Sequence, residues 1–320
     1  MRRQYDIAAL GELLIDFTDS GTSPGGMRLF ERNAGGAPAN VLTAAARLGR
    51  KTAFLGKVGH DMHGQFLRQT LEDAGIDVSG LVMAEDVFTT LAFVALNGSG
   101  ERSFSFARKP GADTCLRTDE LRQDVLVSCR VLHVGSLSLT DEPARSATFA
   151  AVKQAKAAGA VISYDPNYRA ALWPDPETAA RHMRSMVPYA DVMKLSDEET
   201  VLLTDEADPA AAAAVLLARG VSCAAVTLGA DGALVATAEG MRDVPAFSVD
   251  AVDTTGAGDA FWGGFLHRML ALGKAPKELT PDDGADCARW GSAVAALCVT
   301  RRGAIPAMPD LAEVETLLAD

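Results

Sequence analysis

The sequence predicts an α/β protein, a doubly wound, mostly parallel sheet flanked by helices that carries a small antiparallel β lid. Three observations predict it. From residue 131 onward, short apolar runs alternate with amphipathic helical stretches, the pattern of βαβ units. Polar side chains recur just past the carboxyl ends of those runs, where ligands bind in open sheets of this kind. Between residues 81 and 106 the apolar period changes to two, which inserts antiparallel strands into an otherwise βα chain. With 320 residues the chain can bury a large core, and no stretch reads as a linker between independent units. Residues 1–320 are therefore expected to form one domain, with lid strands from about 13–32 and 81–106.

Tyr5 to Leu10 is a short apolar run ending at Gly11, as buried central strands do. Residues 13–17 continue extended with Asp16 between apolar neighbours, which marks either an edge or a ligand. The next stretch favours a ligand. After a turn-rich 20–26 and a strand-like 27–32, the chain reads NAGGAPAN from Asn33 to Asn40 and then a helix over 41–48. Pro38 suits a first helical turn, and Gly35 and Gly36 permit close approach at its start. Asn40 supplies the neutral donor and acceptor that a sugar hydroxyl needs. Residues 52–58 form a second buried strand, followed by a turn holding His60 and Asp61 and a helix over 64–74. The period-two runs are 89–96 and 102–106, joined by a hairpin turn at Asn97-Gly-Ser-Gly100. A small sheet of these runs with 13–17 and 27–32 has one apolar face, so it must cover something or pair with a partner.

Further strands are expected over 131–134, 161–164, 192–195, 224–228 and 233–237, and helices over 143–158, 178–187, 197–203 and 209–219. The polar groups behind these strands are Ser136, then Asp165, Asn167 and Arg169, then Ser196 and Glu199, then Gly229 and Asp231. Four such places on one rim suggest a single extended site, although Ser196 and Glu199 also read as an N-cap and its capping box. A helix over 286–298 leads into TRRGAIP at 300–306, and an amphipathic helix over 310–318 follows.

Residues 253–265, DTTGAGDAFWGGF, carry the densest chemistry. Gly256 and Gly258 let the backbone turn and bring a bound group to the amides of Gly256, Ala257 and Gly258. Those amides lack helical partners, and with the helix dipole behind them they form an anion site that needs no lysine. Asp259 stands in the first turn at its rim. The plainer reading is a glycine-rich turn in which Asp259 only complements the dipole. Phe261, Phe265, Met269 and Leu272 fall on one helical face. Gly263 and Gly264 cost about 1 kcal/mol each relative to Ala inside a helix, so something is expected to approach the backbone there.

Forty-two acidic against thirty basic residues leave a net charge of −12, which speaks against nucleic acid and against a membrane surface. The five cysteines are scattered without a CxxC pair, and with no apolar leader or long apolar run a reduced, cytoplasmic protein is expected.

Several motifs run in order along nearly the whole chain: GGAPAN at 35–40, GKVGHD at 56–61, GERSFSF at 100–106, KPGAD at 109–113, HVGSLS at 133–138, DPNYR at 165–169, KLSDEE at 194–199, DTTGAGDAFWGGF and TRRGAIP. On these residues the chain resembles the ribokinase-like (PfkB) carbohydrate kinases, and among them the fructokinases. The resemblance implies phosphorylation of a sugar hydroxyl by ATP with Mg²⁺, D-fructose giving fructose 6-phosphate. It implies Asp259 as the base and the amides of Gly256, Ala257 and Gly258 as the cradle of the transferring phosphoryl group. Residues matching Asp16, Gly35, Gly36 and Asn40 hold sugar hydroxyls, and those matching Thr227, Gly229 and Gly232 line the nucleotide. Glu199 matches a glutamate that organises Mg²⁺ through water. Asp253 and Thr255, with the backbone around Arg301 and Gly303, match a monovalent-cation loop, so K⁺ is expected. Ser196 stands where ribokinases carry Asn, and Ser292 where an Asn often meets adenine.

The nearest alternative is a 2-keto-3-deoxygluconate kinase. Its substrate carboxylate wants a guanidinium, for which Arg108 and Arg169 are candidates. Similar keto-acid kinases tend to place Tyr beside the lid arginine, where this chain has Ala107. A silent sugar-binding regulator would need Asp259 or the glycines lost, and an NAD-linked oxidoreductase would want GxGxxG after the first strand, where GELL stands instead. The lid strands are expected to pair two subunits into a homodimer.

Overall fold

Ile7 and Ala9 turn into one apolar layer and Ala8 and Leu10 into another, as the two-residue period of a strand requires. β1 (Tyr5–Leu10) is therefore covered on both faces, and the sheet grows outward from it. In the computed structural model, which describes residues 3–96 and 102–319, the chain continues through β2 (Leu14–Thr22), β3 (Arg28–Gly35), α1 (Ala37–Arg47), β4 (Thr52–Gly59), α2 (Met62–Asp73), β5 (Asp77–Ala84), β6 (Leu91–Leu96) and β7 (Arg102–Ala107). Then follow α3 (Gln123–Ser128), β8 (Cys129–Val134), α4 (Ala144–Ala157), β9 (Val161–Tyr164), α5 (Pro176–Met186), β10 (Val192–Ser196), α6 (Asp197–Thr204), α7 (Pro209–Ala218) and β11 (Cys223–Thr227). The last elements are β12 (Ala233–Thr237), β13 (Gly240–Val244), α8 (Ala257–Leu272), α9 (Pro281–Val299) and α10 (Leu311–Ala319).

The described strands form two sheets. The larger has nine strands in the order β13-β12-β11-β10-β9-β8-β1-β4-β5, parallel except for the antiparallel pairs that β12 makes with β11 and β13. This is the expected doubly wound layout, with β13 an edge strand whose polar Arg242 and Asp243 hid it in the sequence. One face packs on α3, α4, α5 and α7, the other on α1, α2, α8 and α9. Within α8, Phe261, Phe265 and Met269 are buried as their spacing predicts, and Trp262 Nε1 donates to Ser163 Oγ of β9 at 2.8 Å. The cost of Gly263 and Gly264 has a visible return. A Cβ on Gly263 would lie 2.5 Å from Ala44 Cβ of α1, and one on Gly264 would lie 3.0 Å from Gly291 Cα of α9. α8 is thus pinched between two helices, which holds its N-terminus at a fixed place on the sheet rim.

Two helices start earlier than their apolar period indicates, because the caps decide. α1 begins at Ala37, directly after Gly36, and α9 begins at Pro281 after Thr280, whose hydroxyl accepts from Asp283 N at 3.2 Å.

The smaller sheet has the order β3-β2-β6-β7 and is the lid. Two details correct the sequence reading. Residues 81–84 belong to β5 at the edge of the main sheet. β2 and β6 pair in parallel while the outer pairs are antiparallel. The intervening α1, β4, α2 and β5 form the long crossover that a parallel pair needs. The expected hairpin turn at 97–100 lies outside the described residues. Phe17 and Phe93 stack at 5.3 Å on one lid face, whereas Leu14, Asp16 and Thr18, on the opposite parity of β2, turn to the cavity below. No helix among the described residues is long and apolar enough to cross a membrane.

Candidate active site

Gly256 caps α8 with φ 77°, and a Cβ there would meet Ala304 Cβ at 2.6 Å, so the loop can turn at this point only with glycine. The amides of Gly256 and Gly258 make no intramolecular hydrogen bond among the described residues. Ala257 departs from expectation: its N–H donates to Thr254 O at 3.2 Å, because Thr254 to Ala257 close a turn before the helix starts. Two of the three amides expected to form an anion site are therefore left without an intramolecular partner among the described residues. Lys194 also stands beside it, since a Cβ on Gly258 would lie 3.3 Å from Lys194 Nζ. Its ammonium is buried and pairs with Asp165 Oδ2 at 2.7 Å. Burial alone would lower the Lys194 pKa, but Asp165, Glu199 and Asp259 outweigh it and raise it. A lone Lys within the apolar run VMKLS was the signal for this residue, and periodicity alone reads it as part of a strand.

Asp259 is 7% exposed. Burial and then the nearby Asp165 push its carboxyl up to about 6, against the Asn40 hydrogen bond, Lys194 and Arg169. Each carboxylate oxygen is held by an amide from a different part of the chain. Asn40 Nδ2 of α1 donates to Oδ2 at 2.8 Å, and Asn167 Nδ2, behind β9, donates to Oδ1 at 3.3 Å. Asn167 adopts φ 45°, a left-handed conformation that Asn tolerates better than most residues. Two neutral donors fix the direction of the carboxylate and leave it free to accept a proton.

Asp259 opens on a cavity of about 520 Å³ between the main sheet and the lid, lined among others by Asp16, Asn33, Gly36, Asn40, Asn167 and Arg169. Burial lifts the Asp16 carboxyl to about 6, against the pull of Arg169. Gly36, at φ 123°, lies so close to β1's continuation that a Cβ would sit 2.4 Å from Glu12 O. Gly35 does not line the cavity. It makes room for Asp16, whose Oδ2 would be 2.1 Å from a Cβ at this position. Arg108 does not line it either, contrary to its reading as a substrate group. Its guanidinium is buried and engaged by Asp113 Oδ2 at 2.6 Å, Thr140 Oγ1 at 2.9 Å and Leu137 O at 2.9 Å. Glu12 and the exposed Arg302 do line the cavity; no motif held Glu12, and Arg302 lies within TRRGAIP without having been singled out.

On the far side of Lys194, Ser196 and Thr227 are register partners at the carboxyl ends of β10 and β11, with Gly229 and Gly232 in the turn that follows. Ser292 is buried in α9. The cavity does not extend to these five residues. Glu199 Oε1 accepts from Tyr168 N at 2.6 Å, and Oε2 accepts from the amide of Ser196 at 2.8 Å and its hydroxyl at 3.0 Å. It thus ties the β9 and β10 loops together. Asp253 does the same for the next pair of loops: Oδ1 accepts from Thr255 N at 3.0 Å and Thr255 Oγ1 at 2.7 Å, and Oδ2 accepts from Gly303 N at 3.0 Å. The Arg301 guanidinium pairs with Glu313, which leaves its backbone as the part available to that loop.

Comparison with known proteins agrees with this arrangement. The model of the pfkB family carbohydrate kinases matches residues 4–311. The chain is 43% identical over 318 residues to probable fructokinase-4 of Arabidopsis thaliana, covering 98% of this chain and 96% of the relative. Among solved structures, fructokinase from Xylella fastidiosa with bound ATP superposes with a TM-score of 0.91 at 38% identity, covering 98% of each chain. Fructokinase from Vibrio cholerae O395, bound to fructose, ADP and a calcium ion, superposes with a TM-score of 0.88 at 35% identity, covering 98% of this chain and 99% of that one.

Proposed function

Because the chain belongs to the pfkB family of carbohydrate kinases, we propose that it transfers the γ-phosphoryl group of ATP to a hydroxyl of D-fructose, giving fructose 6-phosphate. The observation that carries the reading is Asp259, buried at the head of α8, with both oxygens oriented by Asn40 and Asn167 and facing the lid-covered cavity. A sugar hydroxyl placed there gives its proton to Asp259 as it attacks, and the amides of Gly256 and Gly258 with Lys194 stabilise the charge on the transferring group. Little covalent chemistry is asked of the protein, so alignment and charge complementarity are sufficient.

Mg²⁺ would neutralise charge on the nucleotide phosphates. The donors near Lys194 are oxygens, as Mg²⁺ requires, but every Glu199 oxygen already accepts a hydrogen bond, so this carboxylate suits contact through water. Ser196, Thr227, Gly229, Gly232 and Ser292 are assigned to the nucleotide, whose phosphates then reach Gly256 from the side opposite the sugar. Asp253 and Thr255 present oxygens beside the anion site and suit K⁺, which would stiffen the loop bearing Gly256. Replacing K⁺ by Tris in a sodium-free assay is expected to lower kcat while leaving the KM for sugar nearly unchanged. Equal rates in both buffers would show that Asp253 secures the loop unaided.

Arg169 is the one of the two arginines considered for a keto-acid carboxylate that lines the cavity, and Ala107 brings no phenol. A missing hydrogen bond to a charged carboxylate is worth about 1.5–3 kcal/mol, or roughly one to two decades of affinity. In a coupled ADP-release assay with one enzyme batch and saturating MgATP, D-fructose is expected to show the higher kcat/KM than 2-keto-3-deoxygluconate. A preference for the keto acid would reassign the substrate and leave the role of Asp259 standing.

The lid presents Met27, Leu29 and Phe30 to solvent, at 69%, 46% and 45% exposure, which suits a homodimer closed through this sheet. Light scattering at micromolar concentration is expected to give the mass of two chains, and a monomer would mean that the lid closes in cis. The five cysteines are free thiols, which fits a reducing, cytoplasmic setting.

A further inference from the structure

We propose that Glu12 is a positioning residue for the sugar site, whose carboxyl clamps the first amide of α1 and so sets Gly36 and Asn40 against the substrate and Asp259. Glu12 follows β1 and is 3% exposed. Its Oε1 accepts from Ala37 N at 2.9 Å, and Oε2 is buried without a hydrogen-bond partner among the described residues. The neighbouring Gly36 leans on the Glu12 carbonyl, so side chain and backbone of one residue grip the start of α1 from below. One turn on, Asn40 N donates to Gly36 O at 3.0 Å and Asn40 Nδ2 holds Asp259. A shift at Ala37 is therefore passed directly to the base.

The charged groups around Glu12 are Arg108 and Asp113, together with Asp16, Asp19, Glu31, Arg169, Asp253, Asp259 and Arg302 around the cavity. Arg108 is spent on Asp113, Thr140 and Leu137 and forms no ion pair with Glu12. Burial, with Asp113 adding to it, pushes the Glu12 carboxyl up to about 7 against its hydrogen bond to Ala37 and the pull of Arg108. Below about pH 7 the carboxyl is then largely protonated, which removes the charge from an oxygen buried without a hydrogen-bond partner among the described residues. Ionisation above that pH strengthens the bond from Ala37 N, since a carboxylate is the better acceptor, but it adds a buried negative charge to a cavity already lined by Asp16, Asp19, Glu31, Asp253 and Asp259, and that charge favours water over a neutral sugar.

The inference rests on D-fructose being the substrate, so the wild type is measured beside every variant, with kcat and KM for D-fructose from pH 6 to 9 at saturating MgATP and the melting temperature of each protein. Glu12→Gln keeps the acceptor for Ala37 and replaces the protonated oxygen by an NH₂ of similar size. It is expected to match wild type within about twofold at pH 6.5 and to lack the rise in KM that is expected of wild type above about pH 7. Glu12→Ala is expected to raise KM about tenfold at pH 6.5 and to lower kcat through Asn40, with the fold retained. A folded Glu12→Ala enzyme with wild-type constants, or a Glu12→Gln enzyme whose pH profile coincides with that of wild type, overturns the inference. If Glu12→Ala does not fold, the Gln profile decides. Failure of wild type itself to phosphorylate D-fructose overturns the substrate reading instead, a distinct result.

Discussion

Asp259→Asn is expected to lower kcat by at least about 10²-fold, the scale of a lost general base, with nucleotide affinity nearly kept. Asn is almost isosteric, its single oxygen keeps one of the two amide bonds, and the other partner, Asn40 or Asn167, has only to turn its own amide to present an oxygen, so the backbone geometry is largely preserved while the proton acceptor is gone. The sign of the pH dependence follows from the same group. Burial raises the Asp259 carboxyl to about 6, and only its ionised form accepts a proton. On this group alone, kcat is therefore expected to be full above that value and to fall as pH drops through about 6. The acid limb of kcat/KM should vanish from the residual activity of the Asn variant. Unchanged turnover in Asp259→Asn would remove Asp259 from the chemistry and leave the two amides and Lys194 as the catalytic groups.

Lys194→Met is expected to destabilise the fold by about 3–5 kcal/mol, because it removes one partner of a buried pair and leaves the other charged. Asp165 and Lys194 meet at 2.7 Å with side chains 2% and 6% exposed, so water cannot replace the ammonium. The measurement is the urea midpoint at constant m-value. Adding Asp165→Asn to Lys194→Met removes the stranded charge and is expected to recover part of the loss, while catalysis stays impaired because Gly258 has lost its neighbouring cation. A shift below about 1 kcal/mol in the single variant would mean that the buried pair contributes little to stability.

The glycine-rich turn into α8, the Gly36 start of α1, and the succession of strands and helices of an α/β sheet were legible because each rests on local rules. Apolar period separates strands from helices, glycine and proline mark the turns, and a carboxylate in the first turn of a helix has few other reasons to follow GAG. The lid strands were legible for the same reason, through their two-residue period. The parallel pairing of β2 with β6 was not, since it is set by the direction in which a chain returns after α1 to β5.

Tertiary structure alone decided how the polar residues are shared out. Arg108 and Arg169 look alike in the sequence, yet one is buried against Asp113 and the other lines the cavity. Ala257 sits between two glycines of the anion loop, yet its amide closes on Thr254. Glu12, Lys194 and Arg302 gained their places only when β1, β10 and the 300–306 loop converged on the head of α8. Sequence by itself determined the fold and the placing of Asp259 in the first turn of α8, because propensity and capping act over a few residues. Which charges are buried, paired or left facing the substrate depends on groups brought together from up to 219 positions apart, as Asn40 and Asp259 are, and no local pattern encodes that distance.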